Sequence, residues 1–86
     1  MFSTDQIRSR VREMPFRPFQ VVTTAGDIHE VRHPELIMVG VGDVVIGIPS
    51  PNNPNAYERL TRVSLFHIVE LRDFPVESTA TQNGTA

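Results

Sequence analysis

The sequence contains no cysteine among its 86 residues. Disulfide bonds, thiolate metal sites, haem attachment through cysteine and cysteine nucleophiles are therefore excluded. A chain of this length buries only about 60% of its unfolded surface, so it supports one core and no second domain. Without cross-links, hydrophobic burial alone has to hold that core. Small domains of this kind often gain stability by burying further surface between copies, and we therefore expect self-association.

Long apolar runs and an excess of charge of one sign are also missing. Residues 1–12 contain no apolar run of seven or more, so we expect neither a signal peptide nor a membrane span, and a cytoplasmic location. The net charge of −2 gives no general attraction for phosphate backbones. Lysine is absent and all eight basic residues are arginine, which suits bidentate contacts with carboxylates or phosphates. Coding bias also produces such a set, and we favour that interpretation.

The first predicted element is a helix that begins at Ser3. Ser3 can cap the helix, and Gln6, three residues later, can complete a capping box. The apolar residues at the four- and three-residue spacing of one helix face are Ile7, Val11 and Met14. Pro15 is expected to end the helix, because the residue before a proline avoids the α region and proline has no amide hydrogen. We therefore predict an amphipathic helix of about three turns.

Most of the chain after the helix has strand character. Pro15–Phe19 carries proline at both ends of a short interval, so it should run extended and place Phe16 and Phe19 against the core. The segments with β-branched, aromatic or alternating residues are 19–24, 28–33, 36–39, 44–48, 57–64 and 68–72. Leu60 interrupts the alternation of the fifth segment. We expect these six segments to form five or so strands.

Glycine, proline and asparagine mark the turns. Ala25–Gly26 predicts the first hairpin turn, and Gly40–Asp43 predicts a second one in which both glycines adopt positive φ. The strands flanking this second turn are expected to form the central pair. Pro49–Asn55 contains three prolines and three asparagines and is expected to be the one substantial surface loop. The polar residues 75–86 are expected to form a disordered tail.

These connections are too short for crossover helices, so the strands should pair antiparallel. The sequence therefore predicts an α+β, mostly β domain over residues 1–74. In it, an N-terminal helix is followed by a bent antiparallel five-stranded sheet or a small barrel.

Two resemblances bear on the family. Pro15–Phe19, the turn at Gly26 and the pair His33–Pro34 resemble a group of short, uncharacterised bacterial proteins that open with a helix and this Pro-Phe-Arg-Pro-Phe segment. That resemblance covers about residues 3–72 and implies no activity. The second is architectural: the N-terminal helix, the bent sheet and the Phe66-His67-Ile68 turn are similar to Sm-like proteins with an SH3-like small barrel. They include the bacterial Sm-like RNA chaperone.

The Sm-like resemblance implies a ring-shaped homo-oligomer. It also implies contacts with uridine-rich RNA at His67, whereas Phe66 stands where the chaperone has a lysine. Fold analogy alone says little about function, because unrelated small barrels share this arrangement.

Four residues are candidates for contacts with RNA or a protein partner. Arg8 and Arg12 lie on one predicted helix face, and Phe66 and His67 lie in the turn before the last strand. Cationic groups beside aromatic rings suit single-stranded RNA, which is bound through its phosphates and by base stacking. Acidic residues close to the arginines in sequence favour an ordinary solvated surface instead, and we favour that alternative.

Metal and phosphate sites are not predicted. His29 and His33 would lie about 13 Å apart on an extended strand, at roughly 3.3 Å per residue, so they cannot share one metal ion. The glycines at 40 and 42 are explained by a hairpin turn, because no third glycine opens a helix as phosphate-binding loops require. We therefore expect no cofactor, no metal ion and no small-molecule substrate.

Catalysis is the least supported class of function. Ser64 and His67 are close in sequence, and Asp43 or Asp73 is a conceivable third member of a triad, but triads are defined by a geometry that the sequence does not show. The leading hypothesis is a non-catalytic, self-associating binding or assembly module. The alternative is an Sm-like RNA-binding protein with an arginine-bearing surface.

Overall fold

The computed structural model describes residues 2–53 and 55–74, and the predicted tail over residues 75–86 lies outside them. Helix α1 (Thr4–Val11) opens the chain. The strands that follow are β1 (Phe19–Thr23), β2 (Ile28–Val31), β3 (Ile37–Val39), β4 (Asp43–Pro49), β5 (Tyr57–Ser64) and β6 (Ile68–Asp73). A first 3₁₀ turn, Pro34–Leu36, separates β2 from β3, and a second, Leu65–His67, separates β5 from β6. The mostly β class with an N-terminal helix is confirmed.

The strands form two three-stranded antiparallel sheets. Their order is β2-β1-β6 in the first sheet and β3-β4-β5 in the second. The described residues thus contain six strands rather than the predicted five, and they form no closed barrel. Along the chain, the boundary between the two sheets lies at Pro34, the first residue of the first 3₁₀ turn. Proline cannot donate a ladder hydrogen bond, so the chain leaves the first sheet there and begins β3 in the second.

Helix α1 starts at the predicted capping box. The Gln6 amide donates to the Ser3 hydroxyl at 3.2 Å, and the Ser3 amide donates to the Gln6 side-chain oxygen at 2.8 Å. The helix ends at Val11, earlier than predicted, and Met14 is 89% exposed rather than buried. Pro15 accounts for the difference, because it disfavours the α conformation at Met14 and lacks the amide hydrogen that another turn needs.

One core lies between the two sheets and the helix. Helix α1 contributes Ile7, which is fully buried. Phe19 is the largest fully buried side chain, and Phe16 packs beside it with ring centroids 6.0 Å apart, as predicted. The other buried members are Val21, Val31, Leu36, Ile37, Val44, Ile46, Val63, Leu65 and Ile68. Both sheets and both 3₁₀ turns contribute, so the core joins the whole described chain.

The hairpin turns lie where the sequence predicts them, for partly different reasons. Gly26 has a φ of 89°, a left-handed conformation that favours glycine. Gly40 and Gly42 do not adopt positive φ, contrary to the prediction. Gly40 lies close to Asp43, since an added Cβ would lie 2.6 Å from the Asp43 Oδ1 and 3.2 Å from the Asp43 carbonyl oxygen. The expected central pair is also corrected, because β4 is central in its sheet but β3 lies at an edge.

Arg10 joins the helix to the first sheet. Its guanidinium lies 4.8 Å from the centre of the Phe19 ring, and its Nη2 lies 2.9 Å from Asp73 Oδ1. Arg17, in the extended connector, pairs with Glu13 at 2.6 Å and with Asp73 at 3.8 Å. The hydrogen bond from Arg17 holds the pKa of Glu13 below its ordinary value. These contacts fix the helix and the connector against the end of β6.

Candidate assembly surface

β5 and β6 each lie at one edge of a sheet, and β3 and β2 lie at the opposite edges. Each is paired on one side only, β5 with β4 and β6 with β1. On the other side, the backbones of eight residues in β5 and six in β6 have no strand partner among the described residues. Open edges of this length are templates for pairing with another chain. Only the second 3₁₀ turn separates the two strands along the chain.

Exposed apolar side chains accompany both edges. Leu60 on β5 is 59% exposed, and Val69 on β6 is 55% exposed. Leu60 lies opposite Gly47, on the outer face of the second sheet. Val69 is the extra residue of a β-bulge in the pairing of β6 with β1. Neither residue was predicted from the sequence to lie at an interaction surface, although the interrupted alternation at Leu60 was a signal for it.

The two edges carry opposite net charge. The charged residues are Arg59, Arg62 and Glu58 on β5, and Glu70, Asp73 and Arg72 on β6. On β6, Arg72 donates to both carboxylate oxygens of Glu70 at 3.1 and 2.9 Å, which holds the pKa of Glu70 below its ordinary value. On β5, the Arg62 Nε lies 3.6 Å from Asp43 Oδ2. By the residues of the strands alone β5 is net positive and β6 net negative, although Arg62 is paired with Asp43, and Asp73 is paired with Arg10 and Arg17.

The second 3₁₀ turn holds two of the four candidate residues. The Phe66 amide donates to the Ser64 hydroxyl at 3.2 Å, and the Phe66 ring is 75% exposed. The His67 carbonyl accepts from the Thr24 amide at 2.8 Å, and the His67 Nδ1 lies 3.4 Å from Thr24 Oγ1. These contacts fix the turn against the β1–β2 hairpin. Phe66 and His67 are thus exposed between the end of one open edge and the start of the other.

The other two candidates lie on helix α1. Arg8 pairs with Asp5 at 3.3 Å, whereas Arg12 is exposed and has no salt bridge within the described residues. The groove beside them is lined by residues of the 5–13 segment, and the cleft beside His67 contains none of these. The structure therefore places Arg8 with Arg12 and Phe66 with His67, but it does not bring the two pairs into one cleft.

The residues considered for catalysis are engaged elsewhere. Ser64 and His67 make the contacts given above, and no hydrogen bond joins them in the described chain. Asp43 and Asp73 are each paired with arginine. Over residues 2–53 and 55–74, no three histidine, aspartate or glutamate side chains come together as metal ligands. None of the described helices has the length and apolar character needed to cross a membrane.

Comparison with known proteins gives no family assignment. No protein-family model matches the chain, and neither curated proteins nor solved structures give a match. The resemblance to the bacterial Pro-Phe-Arg-Pro-Phe group and the resemblance to Sm-like proteins therefore stay predictions. What the described residues contribute is geometric: two long open edges of opposite charge, with exposed apolar and aromatic side chains between and along them.

Proposed function

We propose that the chain is a non-catalytic module that assembles with further copies of itself, β5 of one copy pairing with β6 of the next. The observation that supports this most directly is that both strands end their sheets with open edges, eight and six residues long. The edge of β3 offers less backbone, because that strand is only three residues long, and helix α1 lies near it. β5 and β6 are therefore the longest edges that another copy can reach.

The charges favour pairing between unlike strands. β5 has one more arginine than acidic residues, and β6 has one more acidic residue than arginine. Pairing β5 with β6 brings a net positive edge to a net negative one, whereas pairing like strands opposes equal charges. An interface between two different surfaces is heterologous, so repeated copies close into a ring or extend as a filament.

The expected strength is modest. Antiparallel pairing over six residues forms about six hydrogen bonds, each worth about 0.5–1.5 kcal/mol net. Loss of translational and rotational freedom opposes association by at least about 4 kcal/mol. Contacts of Leu60 and Val69 have to supply the surplus, at about 25 cal/mol for each Å² of apolar surface buried. Assembly should therefore depend on protein concentration in the micromolar range.

The strand order also supports the finer assignment to an Sm-like small barrel. β2 and β3 are consecutive in the chain and separated only by the first 3₁₀ turn. If they are counted as one bent strand interrupted at Pro34, the order becomes β6-β1-β2/β3-β4-β5, a bent sheet of five strands. We infer that the two sheets are the halves of such an opened barrel.

The test uses size-exclusion chromatography with light scattering between about 5 and 200 µM protein. The wild-type chain is expected to exceed the monomer mass at the upper concentrations. Val69→Lys places a charge on the open edge of β6 and should raise the concentration needed for assembly about tenfold or more. Val41→Lys is the control, since Val41 is 96% exposed and lies in the β3–β4 turn, away from both edges.

Circular dichroism spectra of both variants check that each remains folded. A wild-type chain that stays monomeric throughout this range would refute the proposal. Equal effects of Val69→Lys and Val41→Lys would show that assembly does not use the β6 edge.

A further inference from the structure

A cleft of about 560 Å³ lies between the first and second sheets, near the first 3₁₀ turn that carries the chain from β2 to β3. One wall is formed by residues 27–30 and the other by residues 48–51, with Leu36 between them. We call this space the edge cleft. It involves neither β6 nor the second 3₁₀ turn, so it is separate from the assembly surface except for Arg59 of β5.

The first wall is the open edge of β2. Successive side chains of a strand point to opposite faces, so a groove over one face touches every second residue. The edge cleft instead touches three consecutive residues of β2, Ile28, His29 and Glu30, as well as Asp27 just before the strand. Such a pattern arises when a groove runs along the edge of a strand. β2 is paired only with β1, which leaves its other edge free to face the cleft.

The second wall is the end of β4, where a strand partner is also missing. The pairing of β3 with β4 extends from Val39 opposite Val44 to Ile37 opposite Ile46. Because β3 begins only at Ile37, residues 47–49 of β4 have no strand beside them on that side. The edge cleft is therefore bounded by one free strand edge on each side, as a slot for a missing strand would be.

The size of the slot fits a single strand. Neighbouring strands lie about 4.8 Å apart and packed sheets about 10 Å apart, so an extended chain occupies about 48 Å² in cross-section. A volume of about 560 Å³ then corresponds to about 12 Å of extended chain. At roughly 3.3 Å per residue, this is between three and four residues.

The lining of the edge cleft indicates what kind of segment fits. Leu36 and Ile48 offer apolar surface, and Ile28 is 48% exposed at the rim. Arg32 is neutralised by Glu30 at 3.1 Å. Arg59 has no salt-bridge partner in the part of the chain that the structure describes, although Arg32 and five other arginines do. Asp27 also lines the cleft without a described salt bridge, so an acidic side chain in the bound segment has to lie against Arg59 rather than against Asp27.

We propose that the edge cleft binds an extended peptide segment of a partner protein, which pairs with the open edge of β2 and places a carboxylate against Arg59. Main-chain hydrogen bonds to β2 supply affinity, and alternate apolar side chains against Leu36 and Ile48 supply selectivity, as in other complexes formed by strand addition. This binding goes beyond the proposed self-association and does not depend on it.

The probe is the acetylated and amidated peptide Thr-Val-Glu-Val-Thr-Val, titrated into the ¹⁵N-labelled full-length chain to about 2 mM. We expect amide shifts concentrated at residues 27–32 and at Gly47, Ile48 and Ser50. The same peptide with glutamine in place of glutamate should bind about fivefold more weakly, and N-methylation of alternate peptide nitrogens should abolish binding.

Arg59→Gln and Arg12→Gln form the matched pair of variants, because both arginines lack a salt bridge among the described residues and only Arg59 lines the edge cleft. Arg59→Gln should weaken binding of the glutamate peptide about fivefold, so that it binds no more tightly than the glutamine peptide. Arg12→Gln should leave both affinities unchanged.

Four results would overturn the proposal: no shifts at the highest peptide concentration, shifts confined to β5 and β6, equal effects of the two arginine substitutions, or the same cleft shifts on concentrating the protein without peptide. The last result would assign the edge cleft to a second copy of the chain. Repeating the titration with Val69→Lys separates the two proposals, because the peptide should still bind when assembly is weakened.

Discussion

Replacing Gly47 by alanine tests the tightest packing on the outer face of the second sheet. A Cβ added at Gly47 would lie 2.8 Å from two ring carbons of Tyr57 and 3.3 Å from a third. The ring is restrained, because the Tyr57 hydroxyl donates to the Glu35 carbonyl oxygen at 3.0 Å. Alanine at position 47 therefore requires the ring to move and that hydrogen bond to lengthen or break.

The change in the free energy of unfolding caused by Gly47→Ala is the sum of opposing contributions. Forcing an extra methyl group into a packed site costs about 1–3 kcal/mol, and losing the tyrosine hydrogen bond costs about 0.5–1.5 kcal/mol. Replacing glycine where the backbone permits it stabilises by about 0.4–1 kcal/mol through the unfolded state. We expect Gly47→Ala to destabilise the fold by about 2 kcal/mol. In a Tyr57→Ala background the clash is absent, so the same substitution should be neutral or stabilise by up to about 1 kcal/mol.

Urea unfolding of the wild type, both single variants and the double variant measures this coupling. Gly42→Ala is the control, since an added Cβ at Gly42 would meet nothing within 4 Å. It should not destabilise the chain. If Gly47→Ala costs the same with and without the Tyr57 ring, the ring contact is not the cause and the reasoning fails.

Two further predictions concern charge. The hydrogen bond from Arg17 lowers the pKa of Glu13, so the associated stability is present above the ordinary glutamate pKa and is lost as the pH falls through the lowered value. Unfolding measured between about pH 3 and 7 should therefore show a smaller acid-induced loss of stability for Glu13→Gln than for the wild type. Glu58→Gln, which removes no described salt bridge, should lose as much stability as the wild type. Uridine-rich RNA should show no steeply salt-dependent binding between about 50 and 200 mM salt, because six of the eight arginines already have acidic partners. A steep salt dependence that Arg12→Gln reduces would instead support the RNA hypothesis.

Local signals predicted the elements of this fold well. The capping box at Ser3 and Gln6 involves groups three residues apart, so the sequence shows both partners together. The bounds of β5 agree fully with the predicted segment, and the other strands differ by one or two residues at their ends. Proline and glycine marked the turns because they act on their own backbone or the next residue.

The arrangement of the strands could not be obtained in the same way. Strand order depends on contacts between residues far apart in sequence, such as those of β1 with β6, and alternation alone does not reveal them. The side chains of β5 show where prediction from alternation fails. Strict alternation puts Leu60 on the outer face and Tyr57 with Val63 on the inner one, but a register shift between Ile48 and Pro49 moves Tyr57 to the outer face as well. The free edges, and with them the candidate surfaces, follow from these non-local features.

The four sheet edges among the described residues differ in what can reach them. The edge of β3 is only three residues long, and helix α1 lies near that strand. The edge of β2 is four residues long and faces the opposite wall of the edge cleft, which leaves room for one strand. The edges of β5 and β6 are eight and six residues long and carry opposite net charge. Long, oppositely charged edges suit pairing between whole sheets, whereas a short, walled edge suits a single extended segment. Because the two kinds of edge belong to different strands, self-assembly through β5 and β6 leaves β2 free to bind a partner.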